Sequence, residues 1–324
     1  MKEFVELLRR LTQSFGPSGH EEEVRALLQE EAHRAGTLTE VDTLGNLIAR
    51  TGNPQGPVVM LAAHMDEIGL MVTHADEKGF LRLQRIGGMG YHFLPGKRFW
   101  TADGRVLAVG VEKFEDVKDI TWNKLYLDGP DVAPGTCLVA EGPLVWQGDR
   151  VTGKALDDRV GCAILLHVLW QMRRSPNQVC CVFTVQEEVG LRGAQTAAFG
   201  LQPHIGIAVD VTTTGDTPGA HPMAVSLGKG VAIKVADRSI ITHPLLRQAL
   251  IKTAGEANIP YQLEVLEKGG CDAGAIHLSR EGVVTGAVSI PVRYVHTPAE
   301  TADLRDMAAA SELLCRFLAK PVAL

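Results

Sequence analysis

The sequence lacks an apolar run long enough to cross a bilayer and lacks an excess of basic residues. Its longest apolar stretch, residues 161–170, is shorter than the roughly 20 residues of a membrane helix and contains His167. The net charge of −6 leaves no basic footprint for a nucleic acid. The first ten residues predict an amphipathic helix with acidic residues rather than a signal peptide. We therefore expect a soluble, cytoplasmic protein with no membrane or nucleic-acid partner.

The sequence also lacks the cysteine spacing of a zinc ribbon and the lysine of a phosphate-binding loop. None of its six cysteines forms a Cys-x-x-Cys pair, and Cys162, Cys180 and Cys181 lie within apolar runs. These residues are expected to be reduced, buried thiols. The Gly-rich turn at residues 268–274 has no downstream Gly-Lys-Ser/Thr, which disfavours nucleotide binding. Asp272 in this turn is a candidate for the wall of a substrate pocket.

Length and patterning predict one large unit interrupted by a smaller one. The 324 residues exceed the usual range of a single domain, and 45% of them are hydrophobic. Buried strands alternate with helical patterns near both ends, whereas residues 68–151 show short alternating strands and turn residues. We predict an α/β fold in which residues 1–67 plus 152–324 form a catalytic domain with an open sheet. Residues 68–151 form an inserted small β-barrel.

Two local patterns give further expectations. Ser18-Gly-His-Glu21 fits a capping box and predicts that the second helix begins there. His20 in this turn, together with His74 and His92 in the β-rich segment, is expected to be solvated rather than to bind a metal.

A buried strand at residues 179–185 runs into two adjacent carboxylates, Glu187 and Glu188. In open α/β sheets, ligands bind beyond the carboxyl ends of the strands. Neighbouring side chains point in different directions, so one glutamate could hold a metal while the other faces a bound water as a general base. The alternative is a pair of solvated loop glutamates.

A second apolar strand, residues 58–63, ends in His64-Met-Asp66. Residues two apart on an extended chain share a face. His64 could therefore present a ring nitrogen to a metal while Asp66 orients the site. A lone histidine at a strand end would more often be structural.

Further candidates follow at equivalent places in the chain. Asp210 closes the strand at residues 205–209, and His296 follows the strand at residues 283–290. Asp157 or Asp158 stands at the start of a predicted helix, where it could simply cap the helix or bridge two metals with its two oxygens.

Five candidate ligands would meet at one edge of the sheet: His64, Asp157, Glu188, Asp210 and His296. A mixed set of histidine and carboxylate suits zinc, cobalt or manganese. With one shared aspartate, five ligands are sufficient for two metals, an arrangement that activates water in aminopeptidases. Glu187 then remains as the general base.

Five segments resemble the glutamyl and deblocking aminopeptidases that assemble as tetrahedral particles. The resemblance covers essentially the whole chain and lies in residues 63–69 (AHMDEIG), 154–161 (KALDDRVG), 187–194 (EEVGLRGA), 210–219 (DVTTTGDTPG) and 293–300 (RYVHTPAE).

The resemblance implies roles for the candidate residues. His64 and Asp210 would bind one divalent ion, zinc or cobalt. Glu188 and His296 would bind the other, with Asp157 bridging the two. Asp66 would orient the site, and Glu187 would be the general base.

The resemblance also implies a fold and an assembly. The catalytic domain would have a mixed, phosphorylase/hydrolase-like sheet, and the insert would mediate dimerisation. The dimers would form a homododecamer that acts on peptide substrates.

Two other functions fit part of the sequence. Some relatives are labelled endoglucanases, but a glycoside hydrolase needs two carboxylates and no metal-binding histidines, which leaves His64 and His296 unexplained. An inactive metal-binding assembly protein would have a damaged base or ligand set, and the sequence shows no such damage.

Overall fold

The computed structural model describes residues 2–322, in which α-helices occur before residue 35 and after residue 155. The helices are α1 (Lys2–Gln13), α2 (Glu22–Arg34), α3 (Leu156–Gln171), α4 (Arg192–Leu201), α5 (Pro244–Glu256), α6 (Ala273–Ile276) and α7 (Leu304–Leu318). None of the helices in this part of the chain has both the length and the apolar character required to cross a membrane.

The strands fall into one large sheet and one closed barrel. In chain order they are β1 (Thr39–Val41), β2 (Leu47–Gly52), β3 (Val58–His64), β4 (Gly69–Ala75), β5 (Leu81–Ile86), β6 (Arg98–Trp100), β7 (Val106–Val111), β8 (Leu125–Asp128), β9 (Cys137–Ala140), β10 (Val145–Gln147), β11 (Arg150–Gly153), β12 (Gln178–Thr184), β13 (Ile205–Thr212), β14 (Val231–Ala236), β15 (Tyr261–Val265), β16 (Val284–Arg293) and β17 (Glu300–Asp303).

The large sheet contains eleven strands and is mixed. Its order is β1-β2-β12-β3-β13-β16-β17-β11-β10, with β14 and β15 attached beside β16. The neighbours β12, β3, β13 and β16 run parallel, while the outer pairings β2 with β12 and β16 with β17 are antiparallel. Four consecutive parallel strands therefore bring their carboxyl ends to the same edge.

The central strands are apolar because both faces of the sheet are covered. In β3, Val59 and Leu61 pack into the main core with α1, α3 and α7, whereas Met60 and Ala62 pack on the opposite face with α4 and α6. Successive side chains of a strand point to opposite faces, so a doubly covered strand needs an unbroken apolar run. This is the pattern that the sequence shows at residues 58–63.

The inserted barrel has six antiparallel strands in the order β4-β5-β8-β7-β6-β9. It encloses a separate core that includes Leu70, Phe99 and Leu138. The strands β10 and β11, which follow it in the chain, pair in the large sheet. The predicted fold class, an open mixed α/β sheet with an inserted small barrel, is confirmed.

The capping box predicted at residues 18–21 is wrong. Helix α2 begins at Glu22, and no side chain caps its first turn. The Ser18 hydroxyl instead donates to Asp66 Oδ2 (2.6 Å), and Glu21 Oε1 accepts from the backbone N–H groups of Gly19 and Gln186 (2.7 and 3.1 Å). Asp66 and Gln186, which are distant in the chain, thus take the place of the local cap.

The expectations for the cysteines and the three solvated histidines hold. All six thiols are free, and five are buried. His20, His74 and His92 are exposed.

Candidate active site

The candidate ligands converge at the carboxyl edge of the four parallel strands. His64 is the last residue of β3 and lies opposite Thr184, the last residue of β12. Glu187 and Glu188 follow β12 directly, and Asp210 lies near the end of β13. His296 follows β16. The parallel register thus collects residues that are more than 200 positions apart in the chain.

Asp157 stands between two histidines and offers one carboxylate oxygen to each. Its Oδ1 lies 2.9 Å from Nε2 of His64, and its Oδ2 lies 3.4 Å from Nε2 of His296. The carboxylate of Asp158 turns away from the two histidine rings, so Asp157 is the aspartate of the pair that faces them. The two residues are joined by a cis peptide bond.

The side chains form two groups that could each hold a metal. In the first, His64 Nε2 lies 3.7 Å from Oδ1 of Asp210; in the second, His296 Nε2 lies 3.0 Å from Oε1 of Glu188. Each group, completed by Asp157, has its ligand atoms within 4.8 Å of one another. Imidazole nitrogen and carboxylate oxygen are donors that zinc and cobalt accept.

Burial makes the negative charge of this site costly. Burial raises the pKa of Asp210 to about 8, and burial together with the charges of Asp210 and Glu188 raises the pKa of Glu187 well above its usual range. Burial opposes the charge of His296 as well, but the carboxylates of Glu188 and Asp157 outweigh it and raise its pKa to about 12. Bound cations would relieve the repulsion among these carboxylates.

Asp66 holds the turn that carries the two glutamates. Its carboxylate accepts from the backbone N–H groups of Glu187 (3.0 Å) and Glu188 (3.2 Å), and the residue is completely buried. The Nδ1 atom of His64 contacts the backbone carbonyl of Asp66 at 3.0 Å. Asp66 thus orients the glutamates with its side chain and the histidine with its backbone.

Asp158 anchors backbone rather than facing the cavity. Its Oδ2 accepts from the N–H of His64 (3.2 Å), and its Oδ1 accepts from the N–H of Gly161 (3.0 Å). The second bond satisfies an amide in the turn of α3 that follows the non-helical residues Asp157 and Asp158, as a capping aspartate would.

Some residues around the site were missed by sequence reasoning. Glu67 accepts from the buried ammonium of Lys154 at 2.7 and 2.6 Å and lies 3.3 Å from Arg159, which is also buried. Both cations lie within the segment 154–161, but nothing in the spacing indicates their partner. Glu21, assigned to a helix cap, instead holds the amide of Gln186.

A cavity of about 550 Å³ opens over the two groups of side chains. Its wall includes Glu187, Thr212, Arg238, Ser239 and Lys268. Asp272 is not among the lining residues; it is buried and accepts a hydrogen bond from Thr184 at 2.6 Å. The expectation that Asp272 lines the pocket is therefore wrong, and its neighbours Lys268 to Gly270 take that place.

Comparisons with known proteins agree on one family. The model of the M42 glutamyl aminopeptidase family matches residues 45–313. A candidate aminopeptidase from Acetivibrio thermocellus is 48% identical, with 97% of this chain and 98% of the relative covered.

Two solved structures have nearly the same fold. Aminopeptidase APDkam598 from the archaeon Desulfurococcus kamchatkensis is 36% identical with a TM-score of 0.92, covering 98% of this chain and 94% of that one. The TET1 peptidase of Pyrococcus horikoshii is 30% identical with a TM-score of 0.85, covering 97% and 99%. It can assemble into a tetrahedron or a large octahedral shell.

The raised pKa values predict that metal binding releases protons. Without metal, Asp210 (pKa about 8) and His296 (pKa about 12) hold protons at pH 7, and ligands must lose them to bind a metal. Affinity for zinc should therefore fall as the pH is lowered from 8 towards 6, because protons then compete more strongly. Calorimetric titrations of metal-free protein in two buffers of different ionisation enthalpy measure the release. Equal binding enthalpies in both buffers would contradict this expectation.

Proposed function

Because the chain belongs to the M42 glutamyl aminopeptidase family, and is therefore an aminopeptidase, we propose that it removes N-terminal residues from short peptides using two divalent metal ions. The observation that carries this is the pair of side-chain groups sharing Asp157. His64 and Asp210 would hold one ion, Glu188 and His296 would hold the other, and Asp157 would be shared by both. The donor set fits zinc or cobalt.

Glu187 is the proposed general base. When bound, the metal ions would polarise the scissile carbonyl and make a water more acidic. The Glu187 carboxylate accepts a proton from the attacking water and delivers it to the leaving amine. Two observations support the assignment. Glu187 lines the cavity, and burial, the largest cause of its raised pKa, would make its carboxylate a stronger base than that of a solvated glutamate. Asp66 fixes its backbone and orients it.

The other two functions are less well supported. A glycoside hydrolase gives no reason for two histidines within 3.0 Å of buried or half-buried carboxylates. An inactive assembly protein is disfavoured because all five candidate ligands and the candidate base have their ligand atoms at the same cavity.

Replacing each of the two adjacent glutamates in turn tests the mechanism, since each variant serves as the control for the other. Glu187→Gln should retain two metals per subunit and lower kcat by about 10²–10⁴-fold, the usual contribution of a general base. Glu188→Gln should lose metal from one site. Metal content by mass spectrometry and kcat on a short peptide give the two readouts, and the reverse pattern would exchange the two roles.

Chelation provides the control for metal dependence in the same assay. A chelator should abolish hydrolysis by the unmodified enzyme, and added zinc or cobalt should restore it. Undiminished hydrolysis in chelator would refute the two-metal mechanism.

Two cationic side chains in the cavity wall predict a preference for acidic N-terminal residues. Arg238 and Lys268 line the cavity, are exposed, and form no ion pair with another residue in the range 2–322. An exposed ion pair contributes about 0.2–1 kcal/mol, so Arg238→Ala with Lys268→Ala should weaken the preference for glutamyl over alanyl peptides by about two- to fivefold. Lys252→Ala, on the exposed face of α5, is the control. An unchanged ratio of kcat/KM values would contradict the prediction.

The assembly is proposed to be a homododecamer built from dimers through the insert. We keep residues 68–151 as the dimerisation unit and residues 1–67 plus 152–324 as the catalytic unit. The barrel itself ends with β9, and β10, the last strand of the dimerisation unit, pairs in the large sheet. Support comes from the TET1 tetrahedron and from exposed apolar side chains in the insert, such as Phe93, Val106 and Val117.

Light scattering measures this assembly directly. A closed particle stabilises each subunit by mass action, so it should persist at micromolar concentration. We expect a mass near twelve times 34.9 kDa. A mass near that of one or two chains would refute a closed shell, and a mass well above twelve chains would match the octahedral form of TET1 instead.

A further inference from the structure

Glu300 is a buried carboxylate that joins two of the candidate metal ligands through their backbones. Its side chain is 2% exposed. Oε1 accepts from the N–H of His296 at 2.8 Å, and Oε2 accepts from the N–H of Asp157 at 3.1 Å. The two amides are 139 positions apart in the chain, yet one carboxylate sets the distance between them.

The position of Glu300 is itself fixed by two strands. It is the first residue of β17, where it pairs with Gly153 of β11, and the next residue, Thr301, pairs with Arg293 of β16. β11 leads to Asp157 and β16 leads to His296. Glu300 therefore lies where the two segments that carry these ligands meet. Pairing with both strands holds its backbone in place, so that it does not move with either segment alone.

Both amides belong to residues whose backbone departs from the regular element beside it. His296 has a φ of 65°, in the left-handed region that non-glycine residues rarely adopt. Asp157 departs from helical geometry within the first turn of α3, with φ −78° and ψ 108°. A left-handed conformation at a non-glycine residue persists only when surrounding contacts determine it. The hydrogen bond from the N–H of His296 to Glu300 is a contact of this kind.

The other buried carboxylates near the site serve different amides. Asp66 accepts from Glu187 and Glu188, and Asp158 accepts from His64. The buried ammonium of Lys154 is paired with Glu67, which leaves both oxygens of Glu300 to the two amides. Within residues 2–322, Glu300 is the side chain that holds the amides of Asp157 and His296.

We propose that Glu300 is a positioning residue that holds Asp157 and His296 at the separation needed for the metal shared by Asp157, Glu188 and His296. This inference rests on the proposed two-metal site and adds a residue that selectively supports one of the two ions. The metal of His64 and Asp210 depends less on Glu300, because Asp157 is the one ligand of this group that Glu300 holds. His64 is anchored by Asp158, and Asp210 lies within β13.

Glu300→Gln in the full chain tests the proposal through metal affinity. The amide keeps one acceptor and turns a donor towards the second N–H, so one of the two bonds becomes a repulsion. Metal-free protein titrated with cobalt should bind the first ion nearly as the unmodified protein does. The second ion should bind about 10–100-fold more weakly, the usual cost of losing a group that orients a metal ligand. The cobalt absorption spectrum at saturation should also change.

A matched variant separates this effect from general damage. Glu31→Gln removes the charge of another buried glutamate, which pairs with Arg10 and Arg34 between α1 and α2. It should bind two ions with unchanged affinities and spectrum. Glu300→Asp keeps the carboxyl group but is too short to reach both amides. It should weaken binding of the second ion by a smaller factor, and it serves if Glu300→Gln does not fold.

The outcomes distinguish the proposal from the proposed function. Two ions bound at unmodified affinities by folded Glu300→Gln or Glu300→Asp would overturn the role of Glu300, as would equal weakening of both ions. If the unmodified protein itself binds fewer than two ions, the two-metal site fails instead.

Discussion

The mutual repulsion of carboxylates in a buried pocket is a cost that the surrounding structure must compensate. Asp157, Glu187, Glu188 and Asp210 meet at one cavity, where a low dielectric strengthens every charge interaction. Such a cluster can be stable only if cations or protons compensate it. The two histidines supply part of the positive charge, and ions held by the two groups of side chains that share Asp157 would supply the remainder.

Rigid backbone is the second requirement of such a site. Four residues of the candidate ligand set have their amides held by buried carboxylates: His64 by Asp158, Glu188 by Asp66, and both Asp157 and His296 by Glu300. Bonds between an amide and a carboxylate are stronger than those between neutral groups. The carboxylates therefore have two roles. An inner set faces the cavity, and an outer set holds the backbone of the residues in the inner set.

The sequence predicted the elements that burial dictates and missed those that depend on pairing. Polar residues that close apolar runs, such as His64 and Asp210, are visible because a doubly covered strand admits few polar side chains. The contacts of Ser18 and Glu21 were assigned to a local cap, since a sequence does not show that Asp66 and the amide of Gln186 compete for them. The bonds of Glu300 are equally hidden, because they require β17 to lie beside both β11 and β16.

The ion pair between Glu67 and Lys154 has a consequence for how the chain can vary. These residues flank the insert, and their contact brings its entry and exit together beside the large sheet. For the large sheet, the insert is therefore equivalent to a short loop closed by this ion pair, whatever the length of the segment between the two residues. Because the entropy of closing a loop grows only slowly with its length, and here the closure is made at the base, strands and loops of the barrel can lengthen, shorten or be replaced without moving the strand ends that carry the chemistry.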